Sequence, residues 1–220
     1  MKYIKVLLIS LAVILATALV IAYLFYSKAN TELYTLDATA RKDVAGSFIT
    51  LKDGVTHYEL SGADTGKVVV LVHGFSVPYY IWDSTFSRLV QEGFRVLRYD
   101  EFGRGFSDRP DVVYEAPLFR RQLSDLLDGL HIKSVHAIAG LSFGGPVVAD
   151  FVGHNPGLVS KVILVDPVYP EAGPQDMPFS ESFQRYKMAL SPETMVSGQL
   201  TDLKYPARFP SWADQYKVQM

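Results

Sequence analysis

Hydrophobic positions along this chain fall into three regimes. From Val6 to Tyr26 the run VLLISLAVILATALVIAYLFY carries no charge and shows no polar face. As a helix it is about 31 Å long, enough for a hydrocarbon core of about 30 Å. Residues 29–44 then mix polar and small residues without a period, the pattern of a linker. Beyond them, short apolar runs alternate with stretches at helical spacing. KVVVLVH (67–73), FRVLRYD (94–100), SVHAIAG (134–140) and KVILVDP (161–167) are near-continuous apolar runs, as expected of parallel strands buried on both faces. Residues 80–92, 117–130 and 143–155 predict helices between them. In the second, Leu118, Leu123, Leu126, Leu127 and Leu130 lie close to one face. Ahead of the first run, SFITLKDGVTHYEL sets Asp53-Gly54 between two β-prone segments, which predicts a hairpin.

Strand–helix alternation implies an α/β fold with a doubly wound, mostly parallel sheet, whose site lies beyond the carboxyl ends of the strands. The domain expectation is a membrane anchor over 1–28, a linker over 29–44, an α/β core over 45–168 and a cap over 169–220. For the first segment a cleaved signal peptide is the rival, because Lys2 and Lys5 form a positive start and Ser27-Lys28-Ala29 offers a small-x-small site. The apolar run is longer than the roughly 7–15 residues of a signal core, which favours a single-pass anchor. Lys28, Arg41 and Lys42 answer Lys2 and Lys5, so the charge asymmetry is slight and points to an inner N-terminus with the domain outside the cytoplasm. A cleaved chain would instead be secreted or periplasmic.

Charge and cysteine content narrow the chemistry. Lys and Arg total 21 against 23 Asp and Glu, for a formal net charge of −2, and the basic residues do not cluster. That gives no electrostatic footprint for nucleic acid. With no cysteine there is no disulfide and no thiolate metal site. Chemistry is left to Ser, His and carboxylates.

Gly140-Leu141-Ser142-Phe143-Gly144 places a serine between glycines where an apolar run meets a predicted helix. A strand-to-helix turn sharp enough to lift a serine hydroxyl above a sheet is crowded, which suits residues without a Cβ at Gly140 and Gly144. The helix start favours negative charge near Ser142, and the Phe143 N–H is a natural oxyanion donor. A dinucleotide site would need glycine where Ser142 stands, and no P-loop string occurs. His73-Gly74-Phe75 follows the 67–73 run and so shares the edge of Ser142; the Phe75 N–H is the candidate second donor. His73 is expected to shape that loop by hydrogen bonding rather than to catalyse.

VLVHGFS, YDEFGRGFSDRP, GLSFGG and VILVDP, in this order, resemble the α/β-hydrolase superfamily, in particular its lipase-, esterase- and meta-cleavage-hydrolase-like members. The resemblance implies acyl transfer through a serine ester on Ser142, a histidine base and an Asp or Glu orienting it. It implies a small ester or lipid-like substrate, no cofactor and no metal. Serine at the elbow speaks against the dehalogenase and epoxide-hydrolase branches, which use Asp. In the loop after Asp100, Gly103, Gly105 and Ser107 suit a tight turn held by Asp100 and Ser107. After Asp166 the prolines at 167, 170, 174 and 178 break any strand, and the family reading is a cap in which Phe179, Phe183, Tyr186 and Met188 roof an apolar pocket.

The base is where this pattern runs out. His154 follows Ser142 in the chain but lies about 18 Å down the predicted helix. His131 and His136 belong to the opposite end of their strand, and His57 to the hairpin; structural or solvated roles are expected for all three. Asp166, at a strand's carboxyl end, is an alternative acid. Trp212, Tyr216 and Met220 form an apolar stripe with no stop signal. The family acid and histidine are expected beyond Met220. The leading expectation is a serine hydrolase acting on an ester, or an activated carbon–carbon bond, of a fairly apolar small molecule. A non-catalytic binding protein of the same fold, or an inactive fragment, is the alternative.

Overall fold

The computed structural model describes residues 2–29, 35–75 and 77–168. The chain divides into two compact units. The described part of the first is α1 (Lys2–Ala29), whose hydrophobic side chains are exposed along its length. Its segment Tyr3–Ser27 is long and apolar enough to cross a membrane, and an N-terminal signal sequence passes the same test.

The second unit holds a six-stranded sheet with helices on both faces. Chain order is β1 (Ser47–Thr50), β2 (Val55–Ser61), β3 (Val68–Val72), a 3-10 turn (Tyr79–Trp82), α2 (Asp83–Gln91), β4 (Arg95–Tyr99), α3 (Ala116–Gly129), β5 (Ala137–Leu141), α4 (Gly144–His154) and β6 (Val162–Val165). Spatial order is β1-β2-β4-β3-β5-β6. β1–β2 and β2–β4 pair antiparallel, while β4, β3, β5 and β6 run parallel. The expected hairpin is present: Gly54 turns at φ 154°, and the Leu51 N–H donates to the Gly54 carbonyl at 2.9 Å.

Alternation along β3 explains the two layers. Val70 and Val72 face Leu97, Ile138 and the apolar stripes of α3 and α4, including Leu123, Leu126, Val148 and Phe151. Val69 and Leu71 face Val96, Ala139 and, from the other layer, Trp82 and Phe86. Both faces of the strand are buried, as a continuous apolar run requires.

One expectation changes. The run at 161–167 is expected to be buried on both faces, but Val162, Ile163, Leu164 and Val165 are all exposed, from 38% to 49%. Among the described residues β6 lies at the edge of the sheet, paired on one side with β5, and no helix follows it. In the stretch expected as a linker over 29–44, the described residues 35–44 are exposed or half-buried. α1 runs to Ala29, and residues from Leu36 belong to the sheet's unit. Asp37 Oδ1 accepts the N–H groups of Thr39 and Ala40 at 2.9 Å. Arg41 then reaches Asp108 at 2.5 Å and the Phe106 carbonyl at 3.1 Å. The expected cap, with Phe179, Phe183, Tyr186 and Met188, and the stripe of Trp212, Tyr216 and Met220 lie outside the described residues.

Candidate active site

β3 and β5 are neighbours in parallel register, Val72 opposite Gly140, so the loops after them meet at one edge. Ser142 follows β5 in the left-handed region at φ 51°, a conformation that costs a non-glycine residue energy. Its N–H donates to the Val165 carbonyl at 2.9 Å, and its own carbonyl accepts from Gly145 at 3.0 Å and Val168 at 3.1 Å. The turn is pinned from β6 on one side and α4 on the other.

The flanking glycines are there for want of space. A Cβ on Gly140 would collide with the Gly144 carbonyl. One on Gly144 would sit 2.5 Å from the His73 carbonyl oxygen and 2.7 Å from that of Val72. A Cβ on Gly74 would lie 3.2 Å from the Ser142 Cβ, so the loop after β3 closes directly onto the serine. Phe75 and Phe143, the two candidate oxyanion residues, stand on these facing loops with ring centroids 6.2 Å apart, edge to face.

His73 is fully buried, and its hydrogen bonds assign its state. The Glu101 N–H donates to Nε2 at 2.9 Å, so that nitrogen is unprotonated. Nδ1 then carries the hydrogen and donates to the Gly74 carbonyl at 2.6 Å. Burial holds the ring below its ordinary pKa, against the Asp100 charge and the bond to Gly74, in agreement with a neutral imidazole. Both nitrogens are engaged, as a loop-shaping role requires.

The Glu101 carboxyl was not foreseen from sequence. It is buried, its Oε1 has no hydrogen-bond partner, and burial holds it well above the carboxylate range, with Arg104 opposing. Its Oε2 is 3.9 Å from His73 Nδ1, but two uncharged groups make no ion pair there. The turn from Asp100 to Ser107 folds as its glycines suggest. Ser107 Oγ donates to the Asp100 carbonyl at 2.6 Å, and a Cβ on Gly105 would strike the Asp100 carboxylate. This turn also serves the β3 loop, a link with no sequence signal: Arg104 Nε donates to the Phe75 carbonyl, and its guanidinium lies 4.2 Å from the Phe75 ring centroid. A cavity of about 420 Å³ opens beside these groups, lined by Phe75, Glu101, Arg104, Tyr114, Phe119 and Phe143, among others.

The remaining histidines are placed away from the serine. His154 ends α4, with Nδ1 2.8 Å from the Asp150 carbonyl oxygen. His131 and His136 line a polar cleft with Val68 and Arg95, where β3 and β4 begin. His57 is buried under β1. Asp166 follows β6 at φ 44°, one residue past the carbonyl that binds the Ser142 N–H. Among the described residues no trio of His, Asp or Glu is placed to hold a metal ion.

Known proteins are similar to this chain. A non-heme chloroperoxidase of Streptomyces lividans is 30% identical over 150 residues, 65% of this chain and 54% of that protein. A 2-hydroxy-6-oxononadienedioate/2-hydroxy-6-oxononatrienedioate hydrolase of Cupriavidus pinatubonensis is 36% identical over 146 residues, 63% of this chain and 48% of that one. The chain thus spans about half the length of these curated relatives. Among solved structures, an esterase from Exiguobacterium antarcticum superposes with a TM-score of 0.65 at 24% identity, covering 79% of this chain and 68% of its own, and so shares the fold. The family model described as alpha/beta hydrolase fold matches residues 67–217. By that match over more than half its length, and by the strand order and elbow described above, the chain belongs to the α/β-hydrolase-fold family.

Proposed function

We propose that this protein is a serine hydrolase that cleaves an ester, or an activated carbon–carbon bond, of a fairly apolar small molecule. Ser142 Oγ gives up its proton to a base and attacks the carbonyl, the bond to the alcohol or stabilised carbon leaving group breaks to give an acyl-serine, and water then hydrolyses that ester; the N–H groups of Phe75 and Phe143 receive the developing oxyanion. The observation that carries this reading is the backbone of Ser142, a left-handed residue at a strand-to-helix turn whose neighbouring glycines leave no room for a Cβ. The aromatic lining of the adjacent cavity supports an apolar substrate. The Cupriavidus relative, a hydrolase by name, agrees with the reaction class.

The proton acceptor is a group other than the five histidines, since none of them has a nitrogen directed to the serine by the contacts described. Asp166 stands at the right strand edge to take part as an acid. The alternative is a binding protein of this fold without catalysis. A fluorophosphonate probe separates the two. Labelling of the full-length protein that disappears in Ser142→Ala supports the hydrolase, and equal labelling of the Ala variant overturns the nucleophile.

The length and apolarity of α1 support a membrane anchor, and Lys2 and Lys5 at its start support a domain outside the cytoplasm. Retention in the pellet through alkaline carbonate washing, and release on deletion of residues 1–28, is the expected result. A soluble mature form beginning near Asn30 would establish a cleaved signal instead.

A further inference from the structure

Apart from the elbow, the fold buries one imidazole with an acceptor at each of its nitrogens. The His57 side chain on β2 is only 3% exposed. Its Nδ1 lies 2.7 Å from Asp100 Oδ2, and its Nε2 lies 2.7 Å from the Ala45 carbonyl oxygen. The Asp100 carboxylate is an acceptor throughout: Oδ2 also takes the Phe106 N–H at 3.0 Å, and Oδ1 takes the Tyr79 N–H at 2.8 Å. Neither a carboxylate nor a carbonyl has a hydrogen to give, so each ring nitrogen must donate, and a ring with hydrogens on both is an imidazolium.

The surroundings suit that charge. Phe48 and Tyr79 stack on the two faces of the ring, each with centroids 4.7 Å away, and Phe106 meets it edge-on at 5.5 Å. Aromatic faces are electron-rich and attract a cation. The stack continues outward, with the Arg41 guanidinium 5.4 Å from the Phe48 centroid and that of Arg98 4.3 Å from the Tyr79 centroid. Cation and ring alternate along five side chains. Each cation also meets a carboxylate: Arg41 with Asp108 at 2.5 Å, His57 with Asp100 at 2.7 Å, and Arg98 with Glu59 at 2.6 Å and Asp83 at 2.5 Å. The Tyr79 hydroxyl, 3.5 Å from Nε2, is the other titratable group at the ring, and burial raises its pKa first of all, with Asp100 adding to the shift.

Tyr79, the fourth of these five side chains, follows the loop that faces Ser142. Tyr79 closes the segment that leaves β3 at His73 and carries Phe75. Its N–H is held by the same Asp100 that holds His57, and its ring lies on the imidazole. We propose that His57 is a buried imidazolium and a positioning residue for the Phe75 N–H, acting through Asp100 and Tyr79. The positioning part rests on the reading of Phe75 as an oxyanion donor, whereas the proton count does not. A ring with a single hydrogen would set a lone pair against either Asp100 or Ala45, and the stack and the Tyr79 anchor would shift together.

Nitrogen-15 spectra of the full-length protein at neutral pH, with His57→Gln as the assignment control, test the proton count. Two slowly exchanging ring N–H signals are expected, and a single one overturns the imidazolium. In the same spectra the Phe75 backbone amide of His57→Gln should shift from its place in the parent, and an amide that stays still overturns the coupling. Fluorophosphonate kinetics then test positioning. His57→Phe keeps a stacked ring and removes both donors, so its maximal labelling rate should fall about tenfold or more while the probe's KI stays within about twofold. His57→Gln, which can still donate to Asp100, should recover part of the rate. An unchanged rate in a folded His57→Phe overturns the positioning role. Absence of labelling in the parent protein would instead sink the nucleophile reading and leave the ring-proton result standing.

Discussion

Around Ser142 the chain packs backbone against backbone: Gly140 lies on the Gly144 carbonyl, and Gly144 on the carbonyls of Val72 and His73. The segment facing it, from His73 to Tyr79, is held instead by groups that arrive from the turn after β4. The Glu101 N–H takes the His73 imidazole, Arg104 takes the Phe75 carbonyl, and the Asp100 carboxylate takes the Tyr79 N–H. One side of the site therefore depends on the absence of atoms and the other on the presence of charges. The elbow should resist changes of pH and fail on any added methyl. The opposing loop should tolerate changes of shape and fail when a charge is removed.

The sharpest way to break this contrast is Asp100→Ala. It strips His57 of its carboxylate and leaves the N–H groups of Tyr79 and Phe106 without their acceptor. A loss of about 3–5 kcal/mol is expected in urea denaturation, since removing one partner of a buried pair leaves the other uncompensated. A loss below about 1 kcal/mol would show that the loop holds without its side-chain anchors. Gly144→Ala probes the other side. Its Cβ meets backbone atoms at 2.5 and 2.7 Å, which no side-chain rotation relieves. We expect about 1–3 kcal/mol of destabilisation, the range for overpacking, measured in the same way.

Gly74→Ala lies between the two regions. The new Cβ would stand 3.4 Å from the Leu141 carbonyl oxygen and 3.2 Å from the Ser142 Cβ, close enough to fill the gap where a substrate oxygen would sit. Stability should change by less than about 1 kcal/mol while fluorophosphonate labelling falls by about tenfold or more. Unchanged labelling would place the oxyanion site elsewhere.

The smallest effect concerns pH. The folded state holds the Glu101 proton at pH values where the unfolded chain has lost it, because burial raises this carboxyl well above its ordinary 4.5. Stability therefore falls as pH rises from 4.5 until the folded group ionises. His73 slopes the other way below 6.5, because burial lowers its pKa, and it does so in parent and variant alike. Glu101→Gln should thus lose less Tm than the parent as the pH rises above 4.5. Equal slopes would mean that the carboxyl ionises alike in both states.

Much of the frame could be read along the chain. The four apolar runs became β3, β4, β5 and β6 within a residue or two at most ends, and Asp53-Gly54 turns the hairpin. Exposure of β6 could not, since its sequence matches that of the buried strands and only its place at the edge of the described strands sets it apart. Glu101 and Arg104 also went unread. They stand in a glycine turn whose residues suggest only a turn, and their partners His73 and Phe75 lie 28 and 29 positions away.

What the sequence determined by itself is whatever depends on near neighbours. An apolar run long enough for a strand, and glycines where a turn has no space for a Cβ, leave their mark within a few residues, because sterics and burial act at that range. Tertiary structure alone decided the charges. His57 meets Asp100 across 43 positions, and Arg41 meets Asp108 across 67. Whether a buried imidazole carries one hydrogen or two depends on which acceptors the fold brings to its two nitrogens, and those distances exist only once β2 lies against β4 and the turn that follows it.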